Sequence, residues 1–127
     1  MAKRQKAKRR KKRCHHPCDC GWRVNWTREF RLAAREMGLW GDVKMELRDL
    51  EKRLRSPDTR DDVLAWLESQ YSPYEVVYKR RRFPGHRIYV GRQTARAVYV
   101  IRKDICRVWF TALVPVRKKY RHRTIRS

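Results

Sequence analysis

Positive charge is concentrated at the two ends of this chain, and this separation limits which parts of the chain can form a compact domain. Residues 1–28 carry a net charge of +10 and residues 76–127 a net charge of +15, whereas residues 29–75 carry −3. The whole chain of 127 residues has a formal charge of +22. A nearly neutral middle between two strongly cationic ends is typical of a scaffold that presents surfaces to a polyanion.

Composition excludes several classes of protein. Hydrophobic residues make up 41% of the chain, with 5 Trp, 6 Tyr and 3 Phe, which is enough apolar surface to order one compact domain. No apolar run reaches the roughly 18 residues of a membrane span, and the N-terminus is charged where a secretory signal is apolar. We therefore expect an intracellular protein with no membrane partner, cytoplasmic in a prokaryote and nuclear or nucleolar in a eukaryotic cell.

The N-terminal basic arm, residues 1–13, is the densest run of cations. Positions 2–13 hold nine Lys and Arg and no acidic or aromatic residue, so we expect the arm to be disordered until a partner orders it. Against phosphates these charges release condensed counterions, which adds affinity without reading sequence. The run is also typical of a nuclear localisation signal. The residues predicted to contact phosphates are Lys3, Arg4, Lys8, Arg9, Arg10, Lys11, Lys12 and Arg13.

A Cys/His-rich turn follows at residues 14–22. Zinc prefers four nitrogen or sulfur ligands in a tetrahedron, and closely spaced Cys and His let one turn supply several of them. The predicted ligands of a structural zinc site are Cys14, His16, Cys18 and Cys20. Side chains that can replace or complete this set are His15, His86, Cys106 and His122. Free thiols, a disulfide or an incidental turn are the other interpretations, and disulfides fit poorly with a chain that has no secretion signal.

The middle of the chain, residues 23–73, has the apolar periodicity of helices. Asn25 or Thr27 can cap a first helix and Asp42 a second, while Thr59 opens a segment that resembles a capping box and predicts a third. Charged residues occupy the other faces of these helices, as expected for surfaces in contact with water. The large apolar residues that we expect in the core of this region are Met37, Trp40, Met45 and Trp66.

From residue 74 to residue 115 the pattern changes to β-branched and aromatic residues, which favours an antiparallel sheet. Strands are predicted at residues 75–79, 86–90, 96–102 and 105–114. In the last of these, alternation places Trp109 and Leu113 on one face and Phe110 on the other. The predicted fold is α+β: about three helices packed on a four-stranded antiparallel sheet, with basic tails that are disordered or ordered by a partner.

Cations also dominate the second half of the chain, and their type favours nucleic acid. Arg outnumbers Lys by 24 to 11, and Arg both binds phosphate bidentately and stacks on bases. Because a loop cannot bury four cations, we expect phosphate contacts from the connection Lys79, Arg80, Arg81 and Arg82. The basic tail, residues 116–127, adds the predicted contacts Arg117, Lys118, Lys119, Arg121 and Arg123.

Aromatic residues in the predicted strands have two interpretations. Strand aromatics are usually core residues. If exposed, they can stack on unpaired bases, with neighbouring arginines holding the phosphates. The aromatic candidates are Tyr89, Tyr99 and Trp109, and the neighbouring arginines are Arg87, Arg96 and Arg107.

The segment from His86 to Tyr120 resembles a known family. It contains, in order, Arg96-Ala97-Val98-Tyr99, the Lys103-Asp104 turn, the apolar run Val108–Val114 and Arg117-Lys118-Lys119-Tyr120. This is similar to the sheet of RelE-like toxins, which are small basic ribonucleases acting on mRNA in the ribosome. The resemblance implies that Arg96 stabilises phosphate charge in the transition state and that Tyr120, helped by Arg117, is the acid or base. That family usually begins with a strand and two helices, whereas this chain begins with the basic arm and the Cys/His-rich turn.

The sequence therefore predicts a non-catalytic, basic nucleic-acid-binding protein, with RNA favoured over DNA. A ribonucleoprotein component or a small viral accessory protein fits these features. One alternative is a RelE-like mRNA endonuclease that uses Arg96, Arg117 and Tyr120. The other alternative is an adaptor that binds a host or cellular protein through the helical region.

Overall fold

The computed structural model describes residues 14–117 and 124–126. Within these residues the chain forms three α-helices and six β-strands. The helices are α1 (Arg28–Glu36), α2 (Trp40–Arg55) and α3 (Arg60–Ser69). The strands are β1 (Arg23–Trp26), β2 (Tyr74–Tyr78), β3 (Arg81–Val90), β4 (Ala95–Arg102), β5 (Arg107–Pro115) and β6 (Thr124–Arg126). Two 3₁₀ turns lie at Pro17–Cys20 and Lys103–Ile105.

The six strands form one mixed sheet in the order β1-β5-β4-β3-β2-β6. Strands β2, β3, β4 and β5 pair antiparallel with one another, as predicted, whereas β1 runs parallel to β5 and β6 parallel to β2. The α+β class and the three helices are confirmed. The prediction of four antiparallel strands was wrong in detail, because the short outer strand β1 lies in the region predicted to be helical and β6 lies in the basic tail.

Helices α1 and α3 begin where the sequence predicts and α2 begins slightly earlier, but two of the three predicted caps were wrong. The Thr27 hydroxyl accepts a hydrogen bond from the amide of Phe30 at 3.2 Å and caps α1. Helix α2 begins at Trp40, so Asp42 lies in its first turn instead of capping it. Helix α3 begins directly after Thr59, yet the Thr59 hydroxyl donates to the carbonyl of Arg53 at 2.6 Å and makes no cap.

The main core lies between the three helices and one face of the sheet. Helix α1 contributes Phe30, and the ring of Phe30 packs against that of Phe110 on β5 with centroids 5.6 Å apart. Helix α2 contributes Leu47 and α3 contributes Leu67, both fully buried. Met37 and Trp40 pack at the edge of this core, as expected. Met45 and Trp66 do not, since their exposed fractions are 72% and 49%.

A second, smaller core lies on the sheet face that the helices do not cover, because the sheet curls over that face. Val98 and Val100 on β4 point away from the helices, yet they are buried against Val76, Phe83 and Ile125. The first half of β3 pairs with β2 and its second half pairs with β4, so the strand changes partner near its middle. The curl brings β2 across toward β5, although two strands separate them in the sheet.

Gly85 lies at the point where β3 changes partner, and its lack of a side chain favours the close approach of three strands. A Cβ atom at this position would lie 3.0 Å from Tyr74 Cβ and 3.0 Å from Val76 Cγ2. It would also lie 3.3 Å from Val98 Cγ1. A side chain here would require these neighbours to move by a few tenths of an ångström, so glycine suits a position where another backbone approaches closely.

The predicted connection at residues 80–85 was wrong. The turn consists of Lys79 and Arg80, both with positive φ (47° and 65°), and β3 begins at Arg81. A two-residue turn with both φ angles positive matches the twist of a hairpin, so Arg81 and Arg82 become exposed strand residues.

A bulge in β5 also changes the predicted faces. Val98 pairs with Ala112 and Tyr99 with Phe110, which leaves Thr111 as the extra residue. The extra residue reverses the alternation beyond it. Leu113 therefore joins the helix-side core with Phe110 instead of sharing a face with Trp109.

None of the helices in the described part of the chain is both long enough and apolar enough to cross a membrane.

Candidate nucleic-acid interface

The sheet face that the helices do not cover, here called the open face, is cationic and aromatic. Outside the second core, strand register places ten cationic, amide or aromatic side chains on it, and no acidic residue occupies a described strand position of this face. The valines of the second core, with Tyr74 and Phe83, lie between them and are covered by the curled strands β2 and β6. The polar and aromatic residues of the open face outside that core are Arg23, Asn25, Tyr78, Arg81, Arg87, Tyr89, Arg96, Arg102, Arg107 and Trp109.

One part of the open face is an exposed aromatic pair around an arginine. The guanidinium of Arg87 lies 4.9 Å from the ring centroid of Tyr71 and 6.0 Å from that of Tyr89. The amide of Arg87 also donates to the Tyr71 carbonyl at 3.0 Å, which fixes the loop after α3 beside β3. Tyr71 and Tyr89 are 61% and 51% exposed. Exposed tyrosines beside an arginine can stack on bases that are not paired.

The other part of the open face is a cleft of about 300 Å³ between β2 and β5. Tyr78 and Trp109 meet there with ring centroids 4.9 Å apart and planes at 78°. A flat sheet would separate these strands by about 14 Å, three spacings of about 4.8 Å, so the curl of the sheet creates the cleft. The residues that line it are Asn25, Tyr78, Arg102, Ile105, Arg107 and Trp109.

Arg102 lines this cleft with a side chain that its neighbours hold in one position. Its Nε and Nη2 atoms donate to the two carboxylate oxygens of Asp104 at 3.0 and 2.8 Å. Its guanidinium lies 4.8 Å from the ring centroid of Phe83, and its side chain is only 14% exposed. The hydrogen bond with Arg102 holds the pKa of Asp104 below its usual range, so both groups stay charged at neutral pH.

Arg107 is the cleft residue best placed to bind an anion. Its Nη1 atom donates to the carbonyls of Gly21, Ile105 and Cys106 at 3.2, 3.1 and 2.9 Å. Burial lowers the pKa of Arg107, and the neighbouring charge of Arg23 lowers it further. The backbone therefore fixes one guanidinium nitrogen at a place where positive charge is in excess.

The predicted phosphate contacts Lys79–Arg82 are exposed or partly exposed and lie along the hairpin between β2 and β3. The Lys79 ammonium lies 5.2 Å from the Tyr78 ring centroid, at the edge of the cleft. Arg81 lies on the open face, with its guanidinium 5.1 Å from the Phe83 ring centroid. Arg82 faces the other side and pairs with Glu75 at 3.6 Å.

Of the predicted stacking residues, Tyr89 and Trp109 lie on the open face and Tyr99 does not. Tyr99 is fully buried on the helix side, where its hydroxyl donates to the Leu67 carbonyl at 2.7 Å. That burial raises the pKa of Tyr99. The prediction that Tyr99 can stack on bases was therefore wrong. Alternation along the predicted strand 96–102 places Arg96 and Arg102 on one face and Tyr99 on the other, and the structure confirms this.

Two of the three ribonuclease candidates lie at one end of β4 and β5. The Nη2 atom of Arg96 donates to the carbonyl of Val116 at 2.9 Å, which places it beside the exposed residue Arg117. Tyr120 lies outside the described residues, as do the basic arm 1–13 and the tail residues Lys118, Lys119, Arg121 and Arg123. Their predicted contacts stay predictions.

The predicted zinc ligands gather at the 3₁₀ turn Pro17–Cys20, where the structure pairs all four cysteines. Cys14 bonds to Cys20 and Cys18 to Cys106, with Cα atoms 5.9 and 5.0 Å apart. The Nδ1 atom of His16 accepts a hydrogen bond from the Cys18 amide at 3.1 Å and caps the turn. In the part of the chain that is described, no cluster of three or more unpaired His, Cys, Asp or Glu side chains is arranged to hold a metal.

Sequence reasoning missed Asn25, Tyr78 and Arg102 as members of one site. Asn25 belongs to β1, a strand that was read as part of the helical region. Tyr78 contacts β5 only because the sheet curls, and no local sequence pattern predicts such a curl. The single usable signal was Arg102, which alternation had already placed on the same face as Arg96.

Comparison of the chain with protein-family models, with curated proteins and with solved structures found no match.

Proposed function

We propose that this protein binds nucleic acid without catalysis, with RNA favoured over DNA, through the open face of its sheet and the cationic segments at its two ends. The observation that carries this proposal is the composition of the open face: arginines and aromatic rings alternate across five strands with no acidic strand residue among them. Arginine binds phosphate bidentately, and aromatic rings stack on bases of any sequence.

The contrast with the helix side supports the proposal. On the helix side, carboxylates of the helices pair with nearby cations: Asp49 with Arg53 at 3.2 Å, and Glu68 with Lys103 of the turn between β4 and β5 at 2.8 Å. The open face keeps its positive charge, with Arg102 and Asp104 as its internal pair. A polyanion is therefore attracted to one side of the domain, and the charges of the basic arm and the basic tail add to this attraction.

The experiment is a binding titration of the full chain and of a chain that lacks residues 1–13, on single-stranded RNA and single-stranded DNA over a range of salt concentrations. We expect log affinity to fall linearly with log salt for the full chain, with a slope smaller by about 0.7 for each phosphate contact that the deletion removes. RNA should bind more tightly than DNA of the same sequence. Absence of titratable binding to both would overturn the proposal.

A specific observation also favours a ribonuclease activity as a second candidate function. A strand, β1, precedes the helices and pairs with the long apolar strand β5, so the order of elements departs less from the RelE-like pattern than the sequence indicated. Arg96 donates to the carbonyl of Val116, the residue directly before Arg117. In this proposal Arg96 stabilises the phosphate charge of the transition state, and Tyr120 is the acid or base.

Cleavage assays separate the two candidates. If the protein is a ribonuclease, Arg96→Ala and Tyr120→Phe abolish cleavage of mRNA on ribosomes while RNA binding and the folded state persist. A purified protein that binds RNA but never cuts free or ribosome-bound mRNA would exclude this second candidate. The adaptor interpretation stays a prediction; an adaptor's affinity for its protein partner would change little when residues 1–13 are removed.

A further inference from the structure

We propose that the cleft between β2 and β5 is a pocket for one unstacked nucleotide, with its base against Tyr78 and Trp109 and its phosphate on Arg107 and Asn25. This inference rests on the proposed function and adds the class of ligand: single-stranded nucleic acid with an extruded or terminal base. The feature that points to it is the meeting of two rings and two guanidinium groups at a single depression.

The two rings give the cleft an apolar corner. Tyr78 and Trp109 are each only partly buried, and their planes meet at 78°. An edge-to-face pair leaves two ring surfaces set at an angle to each other, and a flat base that stacks on one of them has its edge near the other. Because the stabilisation comes from ring faces, it is tolerant of base identity.

The polar wall of the cleft supplies donors for a phosphate. The hydrogen bonds of Arg107 within the described residues all use Nη1, so its Nε and Nη2 donors are available for the bidentate contact that a phosphate favours. Asn25 is exposed and pairs across β1 and β5 with Trp109. Its amide can donate to the same phosphate or to a base edge.

The charge around the cleft favours an anion over any neutral ligand. Within the described residues, no acidic side chain lines the cleft itself. Two carboxylates of this region are already engaged: Asp104 accepts from Arg102, and Glu51 accepts from the Val24 amide at 2.8 Å. Burial lowers the pKa of Arg107 most; repulsion from Arg23 and Arg55 lowers it further, while the charge of Glu51 raises it. A bound phosphate would relieve that repulsion.

The size of the cleft limits the ligand to about one nucleotide. Ligand pockets usually range from roughly 300 to 1,000 Å³, and this cleft of about 300 Å³ lies at the lower end. Paired bases of a duplex remain stacked inside the helix and cannot enter it, whereas single strands can extrude a base at little cost. The cleft therefore predicts a preference for single-stranded over double-stranded nucleic acid.

The experiment measures the affinity of the full chain and its variants for a fluorescent single-stranded RNA and for a duplex of the same length. Trp109→Ala removes the stacking surface, and we expect single-strand affinity to fall about 5- to 150-fold, the range for loss of one stacked base. Duplex affinity should stay within twofold. Trp66→Ala is the matched control, because Trp66 is half exposed on α3, on the helix side of the sheet.

Asn25→Asp is the second variant, since Asn25 is exposed and its replacement does not disturb the core. A carboxylate at this position repels the phosphate, so single-strand affinity should fall at least fivefold while Asn25→Ser causes a smaller loss. Circular dichroism checks that each variant is folded, and if Trp109→Ala is not folded, Asn25→Asp decides the result alone.

The outcomes separate this inference from the proposed function. Loss of affinity confined to the single strand supports the pocket. Unchanged single-strand affinity in the folded variants, or equal losses on single strand and duplex, would overturn the pocket while leaving nucleic-acid binding established. If the unmodified protein binds neither nucleic acid, the proposed function itself has failed.

Discussion

The bond between Cys18 and Cys106 should be the larger of two contributions that the cysteines make to stability. This bond joins residues 88 positions apart: Cys18 lies in the Cys/His-rich turn that follows the basic arm in the sequence, and Cys106 directly precedes β5. Cys14–Cys20 joins residues only 6 positions apart. A crosslink stabilises chiefly by restricting the unfolded chain, so the longer loop gives the larger effect.

The lengths of the two loops that these bonds close determine how much each bond contributes to the free energy of unfolding. Loop-closure entropy gives about 4.6 kcal/mol for the longer loop and about 2.2 kcal/mol for the shorter one at 25 °C. Both are below the usual stability of a domain, about 5–15 kcal/mol, so the serine variants should still fold. Replacing Cys18 and Cys106 together should therefore cost roughly twice as much unfolding free energy as replacing Cys14 and Cys20 together.

Urea unfolding of the two double variants and the unmodified protein, without reductant, measures this difference. A loss for the Cys18/Cys106 pair no greater than that for Cys14/Cys20 would refute the reasoning. A zinc site built from these thiols gives a different pattern: one zinc per molecule, similar losses for both pairs, and destabilisation by a chelator. Elemental analysis of the purified protein distinguishes the two.

Two further predictions concern the contributions of the Tyr99 hydroxyl and the Asp104 carboxylate to the stability of the fold. Tyr99→Phe removes the buried donor of the Leu67 carbonyl and should cost about 1–3 kcal/mol in urea unfolding, whereas Tyr89→Phe, at an exposed tyrosine, should change stability by less than about 0.5 kcal/mol. Asp104→Asn should be less stable than the unmodified protein at pH 7, and the difference should vanish at low pH. The sign follows because the pKa of Asp104 is lowered in the folded state: its contribution is present above the unfolded pKa of about 3.9 and is lost as the pH falls through the folded value.

Local patterns were sufficient to predict the helices and the central strands. Thr27 is a good capping residue followed by helical periodicity, and it caps α1 in the structure. Strands β2 to β5 are rich in β-branched and aromatic residues, and each overlaps its predicted range. These elements depend on neighbours in sequence, which is why sequence alone reveals them.

The outer strands and the faces depend on distant contacts. Strand β1 has only four residues and obtains its partner from β5, more than eighty positions along the chain. The single extra residue Thr111 moves Leu113 to the helix side, and periodicity does not show where a bulge occurs. The second core explains why Val98 and Val100 are apolar on a face with no helix.

The candidate site was predicted in its residue types but not in its geometry. The sequence indicated arginines beside strand aromatics, and Arg87, Tyr89 and Trp109 do share the open face. It did not indicate that the curl of the sheet would bring Tyr78 to Trp109. The close packing around Gly85, where β2, β3 and β4 meet, is likewise visible only in the structure.

The most direct test of the central claim compares the salt dependence of single-stranded RNA binding for two triple variants of equal charge. One carries Arg23→Gln, Arg81→Gln and Arg87→Gln on the open face; the other carries Arg28→Gln, Arg35→Gln and Lys52→Gln, exposed on the helices. The first should lower the slope of log affinity against log salt by about 2, for three contacts at about 0.7 each, while the second leaves it nearly unchanged. Equal reductions in both variants would show that the open face has no special part in binding.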